Sequence, residues 1–266
     1  MTRQFENVVV VVVVAFGFCF STAAADPDAL TLMRDSDRRH RLQNERTQLA
    51  MVLQEKGGPE RARGLQIAVR QDPKKLVGGD RQWIRFDAPG DIKGTQLLTV
   101  EKDTGDNDQW LFLSGFQKSR RVGSAELGDR FVGTDFFFED LKHRVVDDYS
   151  WKLLGSEADG GVDCWKVEST PLAPRAKTQS PYARSELWLR KDNLFVVKTR
   201  FFDKAGKALK EYRAENLVKV SGNAWRADRQ TMIDVQRNHK TVVVVKARDA
   251  SSAIPDDTFN PFNLKP

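Results

Sequence analysis

The chain has 266 residues, a formal net charge of +6, a pI near 9.3 and two cysteines. That length fits one large β domain or two small ones, with one the better fit for a chain rich in short alternating segments. A basic balance favours anionic partners such as phospholipid head groups or an acidic protein face, but the basic residues are spread along the chain and form no stripe, which excludes a nucleic-acid reader.

Residues 1–25 read as a cleaved export signal. Val8 to Phe20 is an unbroken apolar run after Arg3, and Ala23-Ala24-Ala25 supplies a small-residue cleavage site before Asp26. The run is shorter than the ~20 apolar residues a spanning helix needs. Phe18, directly before Cys19, is too large for a lipidation signal. On this reading the mature chain, 26–266, is a single exported domain in the periplasm, and Cys164 is its only cysteine. One thiol makes no internal disulfide. Cys164 is expected as a small buried apolar residue in a strand.

A short helix is expected over 26–41, with Asp26 as cap, Pro27 at the first helical position and Leu30 and Met33 on one face. From Thr47 the period changes to two. Residues 47–54 and 65–70 alternate around the turn Lys56-Gly57-Gly58-Pro59 and predict a hairpin. Strands follow over 81–87, 96–102 and 109–113. Residues 116–144 lack alternation and read as a long ordered loop with a short helical turn over 135–141, and a loop of that length in a compact domain is often functional. Beyond it, residues 149–156, 162–170, 185–190, 195–203, 208–220, 224–235 and 241–248 predict a regular meander. Short turns between successive strands force antiparallel neighbours, and a sheet of so many strands curls or closes. Two prolines flank the C-terminal segment, where Phe259 and Phe262 look like plugs on a cavity rim or core edge.

Groups suited to catalysis are few. His40, His143 and His239 form no metal-ligand pattern, and neither a nucleophile elbow nor a phosphate-cradling glycine loop is present. Asp103, Asp106 and Asp108 resemble a loose Ca²⁺ loop but lack its closing glutamate. Glu139-Asp140 and Asp147-Asp148 could serve as paired carboxylates, although carboxylates in turns are usually just solvated. No enzyme, cofactor or metal is expected. Lys118, Arg120 and Arg121 form a basic cluster suited to a phosphorylated head group or an acidic partner, unless Asp135, Glu139 and Asp140 neutralise it. Strands 81–87 and 109–113 are apolar on both faces, so something must cover each face.

The strings Arg85-Phe86 followed by Pro89, Asp91-Ile-Lys-Gly-Thr95, Asp108-Gln-Trp-Leu-Phe-Leu113, Ser119-Arg-Arg-Val122 and the run Asp135 to Leu141 resemble those of the periplasmic outer membrane lipoprotein-sorting proteins, a branch of the LolA/LolB-like superfamily. The resemblance implies a mainly β fold: an incomplete antiparallel barrel covered by helices, whose hollow takes the acyl chains of a lipid or lipoprotein. It also implies a carrier working beside an RND-type inner-membrane transporter and meeting the anionic membrane surface transiently. A non-transport adaptor or envelope sensor is the alternative. The cavity-lining residues so implied are Trp83, Ile84, Phe86, Leu98, Trp110, Phe112, Phe136 and Phe138, with Phe136–Phe138 as a lid. Lys118, Arg120 and Arg121 would meet the head group or partner.

Overall fold

The structure is a computed structural model that describes residues 26–72, 74–75, 77–102, 107–173 and 180–265. The export signal with Cys19, and Asp103 and Asp106 of the acidic turn, lie outside the described residues. Among the described residues one α-helix, α1 (Ala29–His40), precedes thirteen strands. They are β1 (Asn44–Glu55), β2 (Arg61–Arg70), β3 (Arg81–Ala88), β4 (Gln96–Val100), β5 (Asp108–Leu113), β6 (Lys118–Arg121), β7 (Tyr149–Asp159), β8 (Val162–Pro171), β9 (Arg184–Arg190), β10 (Val196–Phe202), β11 (Ala208–Ser221), β12 (Ala224–Asp234) and β13 (His239–Asp249). The expected segments are all there. β6 is an addition, four residues of the expected loop that pair with β5. The helix starts later than expected because Asp28, not Asp26, caps it: the Asp28 carboxylate accepts from the Thr31 backbone N–H at 2.8 Å.

All strands belong to one antiparallel sheet in the order β6-β5-β4-β3-β2-β1-β13-β12-β11-β10-β9-β8-β7. Each strand pairs with its neighbour in sequence, except that β1 pairs with β13 and so joins the two halves. The edges β6 and β7 are consecutive in the chain yet lie at opposite ends of the sheet. Their connection, 122–148, therefore crosses the open side of the curved sheet. The loop is long because of that topology.

The pleat sorts side chains onto two faces. On the inner face Leu49, Leu65, Ile84, Phe86, Leu97 and Leu111 pack against Leu127, Phe131 and Phe138 of the crossing segment. The other half of the inner face receives α1, whose Ala29, Leu32 and Met33 meet Val167, Leu187 and Leu189. The outer face of β2–β5 is covered as well. Ala68, Leu98 and Phe112, with Trp83, Val100 and Trp110, pack against Ile254, Phe259 and Leu264 of the C-terminal segment. That segment forms two single 3-10 turns, Asp256–Phe259 and Pro261–Asn263, where no helix was expected. Phe259 is thus a core residue of the outer face, whereas Phe262 is 85% exposed and plugs nothing.

Buried charges bolt the crossing segment to the sheet. Asp135 meets the His239 Nδ1 at 2.7 Å and accepts from the Thr241 hydroxyl at 2.7 Å. The Lys210 ammonium donates to Asp140 at 2.5 Å and to the Asp135 carbonyl at 3.1 Å, and lies 3.4 Å from the centre of the Phe137 ring. Tyr182 donates to the other Asp140 oxygen at 2.6 Å, and Arg130 pairs with Asp234. Burial lowers the Lys210 pKa, and the adjacent Asp140 opposes that shift. Phe136–Phe138, the expected lid, are held against the sheet by these contacts in this structure. The Asp140 side chain, read as a solvated turn carboxylate, is instead nearly covered and paired with Lys210, and Asp135 is fully buried. Replacing Lys210 with Met leaves Asp140 buried without its cation. The expected loss is about 3–5 kcal/mol, seen as a lower urea midpoint at unchanged slope; an unchanged midpoint would refute this role for the pair.

Candidate functional site

Between the crossing segment and the middle of the sheet the inner face is not filled. A cavity of about 560 Å³ opens there, within the ~300–1,000 Å³ usual for small-molecule pockets. Its apolar wall comes from inward positions of neighbouring strands: Leu49 on β1, Ile67 and Val69 on β2, Leu187 on β9, Phe201 on β10, Met232 on β12 and Val245 on β13, closed by Phe136, Leu141 and Val145 of the crossing segment. Tyr149, Tyr182 and Tyr212 contribute rings. The rest of the lining is polar, so the cavity is amphipathic and not the uniformly greasy hollow that the resemblance implies.

Two charged groups mark the polar side. Glu45 is held between Arg226, at 2.6 Å, and Arg248, at 3.0 Å, and Arg248 also bonds Asp228. These charges are compensated. The second group joins the end of α1 to β3, β4 and the crossing segment. His143 places Nε2 3.0 Å from Asp37 and Nδ1 3.4 Å from Glu101 and 3.7 Å from Asp80. Arg41 bonds Asp80 at 2.5 Å and Asp37 at 3.3 Å. Burial disfavours the charged imidazole, but hydrogen bonds to Asp37 and Glu101 and their charges outweigh it, and the His143 pKa is raised to about 9. Burial also raises the Asp80 pKa, against the pull of His143 and Arg41. The other helix-side histidine behaves in the opposite way. Burial first, then the Arg226 charge, lowers the His40 pKa to about 4, and its Nδ1 accepts the Trp225 backbone N–H at 3.2 Å.

Of the expected lining residues only Phe136 borders this cavity. Ile84, Phe86 and Phe138 lie in the inner-face core beside it. Trp83, Leu98, Trp110 and Phe112 are a correction: each is one residue out of phase with an inward neighbour and so points to the outer face, under the C-terminal segment. Lys118, Arg120 and Arg121 are exposed on the edge strand β6 and far from any lining role. Arg120 pairs with Glu126 at 2.7 Å and Arg121 with Asp108. The acids expected to neutralise them are engaged elsewhere, Glu139 with Lys142 and the others as described above. Asp147 pairs with Arg34 of α1. Cys164 is fully buried, and burial raises its thiol pKa, as its place in a strand led us to expect. Sequence reasoning missed the polar lining. A usable signal existed in Gln82, Thr99, Thr199, Tyr212 and Gln230, polar residues on inward positions where a solid core requires apolar ones.

The His143 group sets a pH dependence. A folded pKa of about 9 against a reference of 6.5 means that its stabilisation is complete below about pH 6.5 and fades as pH rises through about 9. Thermal unfolding should show the protein losing stability, on the order of 2–3 kcal/mol, between pH 7 and 10. His143→Gln should be less stable at pH 7 and nearly flat over that interval; a wild-type curve as flat as the variant's would contradict the assignment.

No curated protein matches the chain. Among solved structures, a Vibrio parahaemolyticus domain named for outer membrane lipoprotein sorting superposes with a TM-score of 0.82 at 24% identity, over 90% of this chain and 98% of that one. A DUF1329 family protein from Desulfovibrio piger gives 0.81 at 23% identity, over 89% and 97%. A LolA superfamily protein from Nitrosomonas europaea gives 0.67 at 20% identity, over 88% and 98%. These likenesses establish the fold, an incomplete antiparallel barrel of LolA type. A family model described as that of an uncharacterized protein matches residues 78–266, well over half of the chain. The protein belongs to that family and has the LolA-like fold of the lipoprotein-sorting proteins.

Proposed function

We propose that the protein is a periplasmic carrier that holds the acyl chain of a lipid or lipoprotein in its inner-face cavity and moves it towards the outer membrane. The observation that carries this reading is the cavity itself. A folded sheet with a sufficient inner core leaves about 560 Å³ unfilled against Leu49, Ile67, Phe201, Met232 and Val245. An apolar wall left open in a folded protein is a place for an apolar guest. Each methylene moved there from water contributes about 0.8 kcal/mol, so a chain of ordinary length is held firmly. Release then needs a partner or a shift of the crossing segment, which buried ion pairs hold against the sheet. An RND-type inner-membrane transporter suits that part, since the family resemblance implies one. The export signal read at residues 1–25 suits the compartment, and the Vibrio domain's name points to the same kind of cargo.

Binding is tested with protein stripped of lipid and a fluorescent fatty acid. Uptake is expected at micromolar concentration or below. Val245→Trp, which pushes a large ring from β13 into the hollow, should weaken uptake at least about tenfold, a loss of about 1.4 kcal/mol, while the circular dichroism spectrum is unchanged. Wild-type protein that takes up no fatty acid, or a Val245→Trp variant that binds as well as wild type, would end the carrier reading. A protein that binds no lipid but is retained by a membrane complex would be the adaptor or sensor instead.

A further inference from the structure

We propose that Arg144, backed by Ser169 and Ser185, is an anion-recognition point on the cavity wall, and that the cargo is therefore an amphiphile with a terminal carboxylate or phosphate. The inference rests on the carrier reading above and names the head group that the cavity selects.

Arg144 lines the cavity and is partly buried. Among the described residues no carboxylate approaches its guanidinium within the 4.0 Å of an ion pair. Its contacts are weak: Nη1 donates to the Ser169 hydroxyl at 3.3 Å and to the Ser185 hydroxyl at 3.4 Å, and the guanidinium lies 4.9 Å from the centre of the Tyr149 ring. Of the acids near it in the chain, Asp147 pairs with Arg34, and Asp148 lines the same cavity but makes no ion pair among the described residues. Glu139 bonds Lys142 at 2.9 Å and Asp140 bonds Lys210 at 2.5 Å. The other cavity arginines of β12 and β13, Arg226 and Arg248, share Glu45. Arg144 thus lines the cavity as a cation without an ion pair among the described residues, as does Arg81 of β3. A guanidinium removed from water without a counter-charge is costly, and its planar fork matches a carboxylate or phosphate.

The two serines strengthen the case. Ser169 is fully buried and Ser185 nearly so, and their oxygens are 2.9 Å apart. Two hydroxyl hydrogens are available. One is consumed between the two oxygens, and among the described residues the other finds no acceptor. Both oxygens already accept from Arg144. Neither serine borders the cavity, so the pair anchors the guanidinium from behind and a guest's anionic oxygen would meet the guanidinium itself. From Arg144 the wall continues through Val145 and Leu141 to Phe136 and Met232, an apolar path for the attached chain.

Three chain-matched probes test this by displacing a neutral fluorophore from lipid-stripped protein: tetradecanoate, tetradecyl phosphate and tetradecanol. The anions are expected to bind at least about tenfold tighter than the alcohol, the scale of a charge-assisted hydrogen bond. Whichever anion is preferred assigns the head group. Arg144→Gln should remove that preference while leaving tetradecanol affinity unchanged, and Arg144→Lys should restore part of it. Equal binding of all three probes by wild type overturns the proposal, as does an Arg144→Gln variant that weakens the alcohol as much as the anions. Failure of every probe to bind would instead sink the carrier reading on which the proposal rests.

Discussion

The structure depends on one topological constraint: β6 and β7 follow one another in the chain but lie at the two free ends of a thirteen-stranded sheet. The sheet pairs in sequence order from both sides and is joined by β1 and β13, so the connection has to cross the open side. It cannot cross through water unsupported, because residues 122–148 carry too few regular backbone bonds to hold themselves. Packing of Leu127, Phe131 and Phe138 on the inner face supplies part of the support. The hydrogen bond of Asp135 with His239 and the ion pairs of Asp140 and Arg130 with Lys210 and Asp234 supply the rest and set the position. Buried pairs contribute little net stability compared with apolar packing, but breaking one is expensive. They fix where the segment lies more than how stable it is.

That positioning creates the cavity. The crossing segment fills one part of the inner face and α1 another, and the two meet at Arg34–Asp147 and Asp37–His143. What they leave open over the middle of the sheet is bordered by apolar inward residues and by charges that belong to the segment's own anchoring, such as the group around His143. The same interactions that hold the fold thus give the hollow its polar side. A cavity built in this way has an apolar wall and a polar side.

The outer face of β2–β5 explains why those strands misled the reading of the lining. Trp83, Leu98, Trp110 and Phe112 are apolar because Ile254, Phe259 and Leu264 return over them. A strand buried on both faces shows no alternation, so its sequence cannot tell which face looks into a cavity and which lies under a tail. The C-terminal segment, poor in regular structure, is as much a part of the core as any strand.

The sequence by itself determined the element types. Alternation at period two, the glycine turns and the helical segment after Pro27 yielded α1 and all strands but β6, and short turns dictated antiparallel neighbours. The strings from Arg85 to Leu141 pointed to the LolA-like fold. Tertiary structure alone decided which face each apolar residue occupies, because a one-residue shift in phase reverses every side chain of a strand. It also decided that Asp135, Asp140 and Lys210 are buried partners and that Arg144 faces the hollow with its charge unmatched. Those facts depend on residues many tens of positions apart meeting across the sheet, and no local spacing in the chain encodes that meeting.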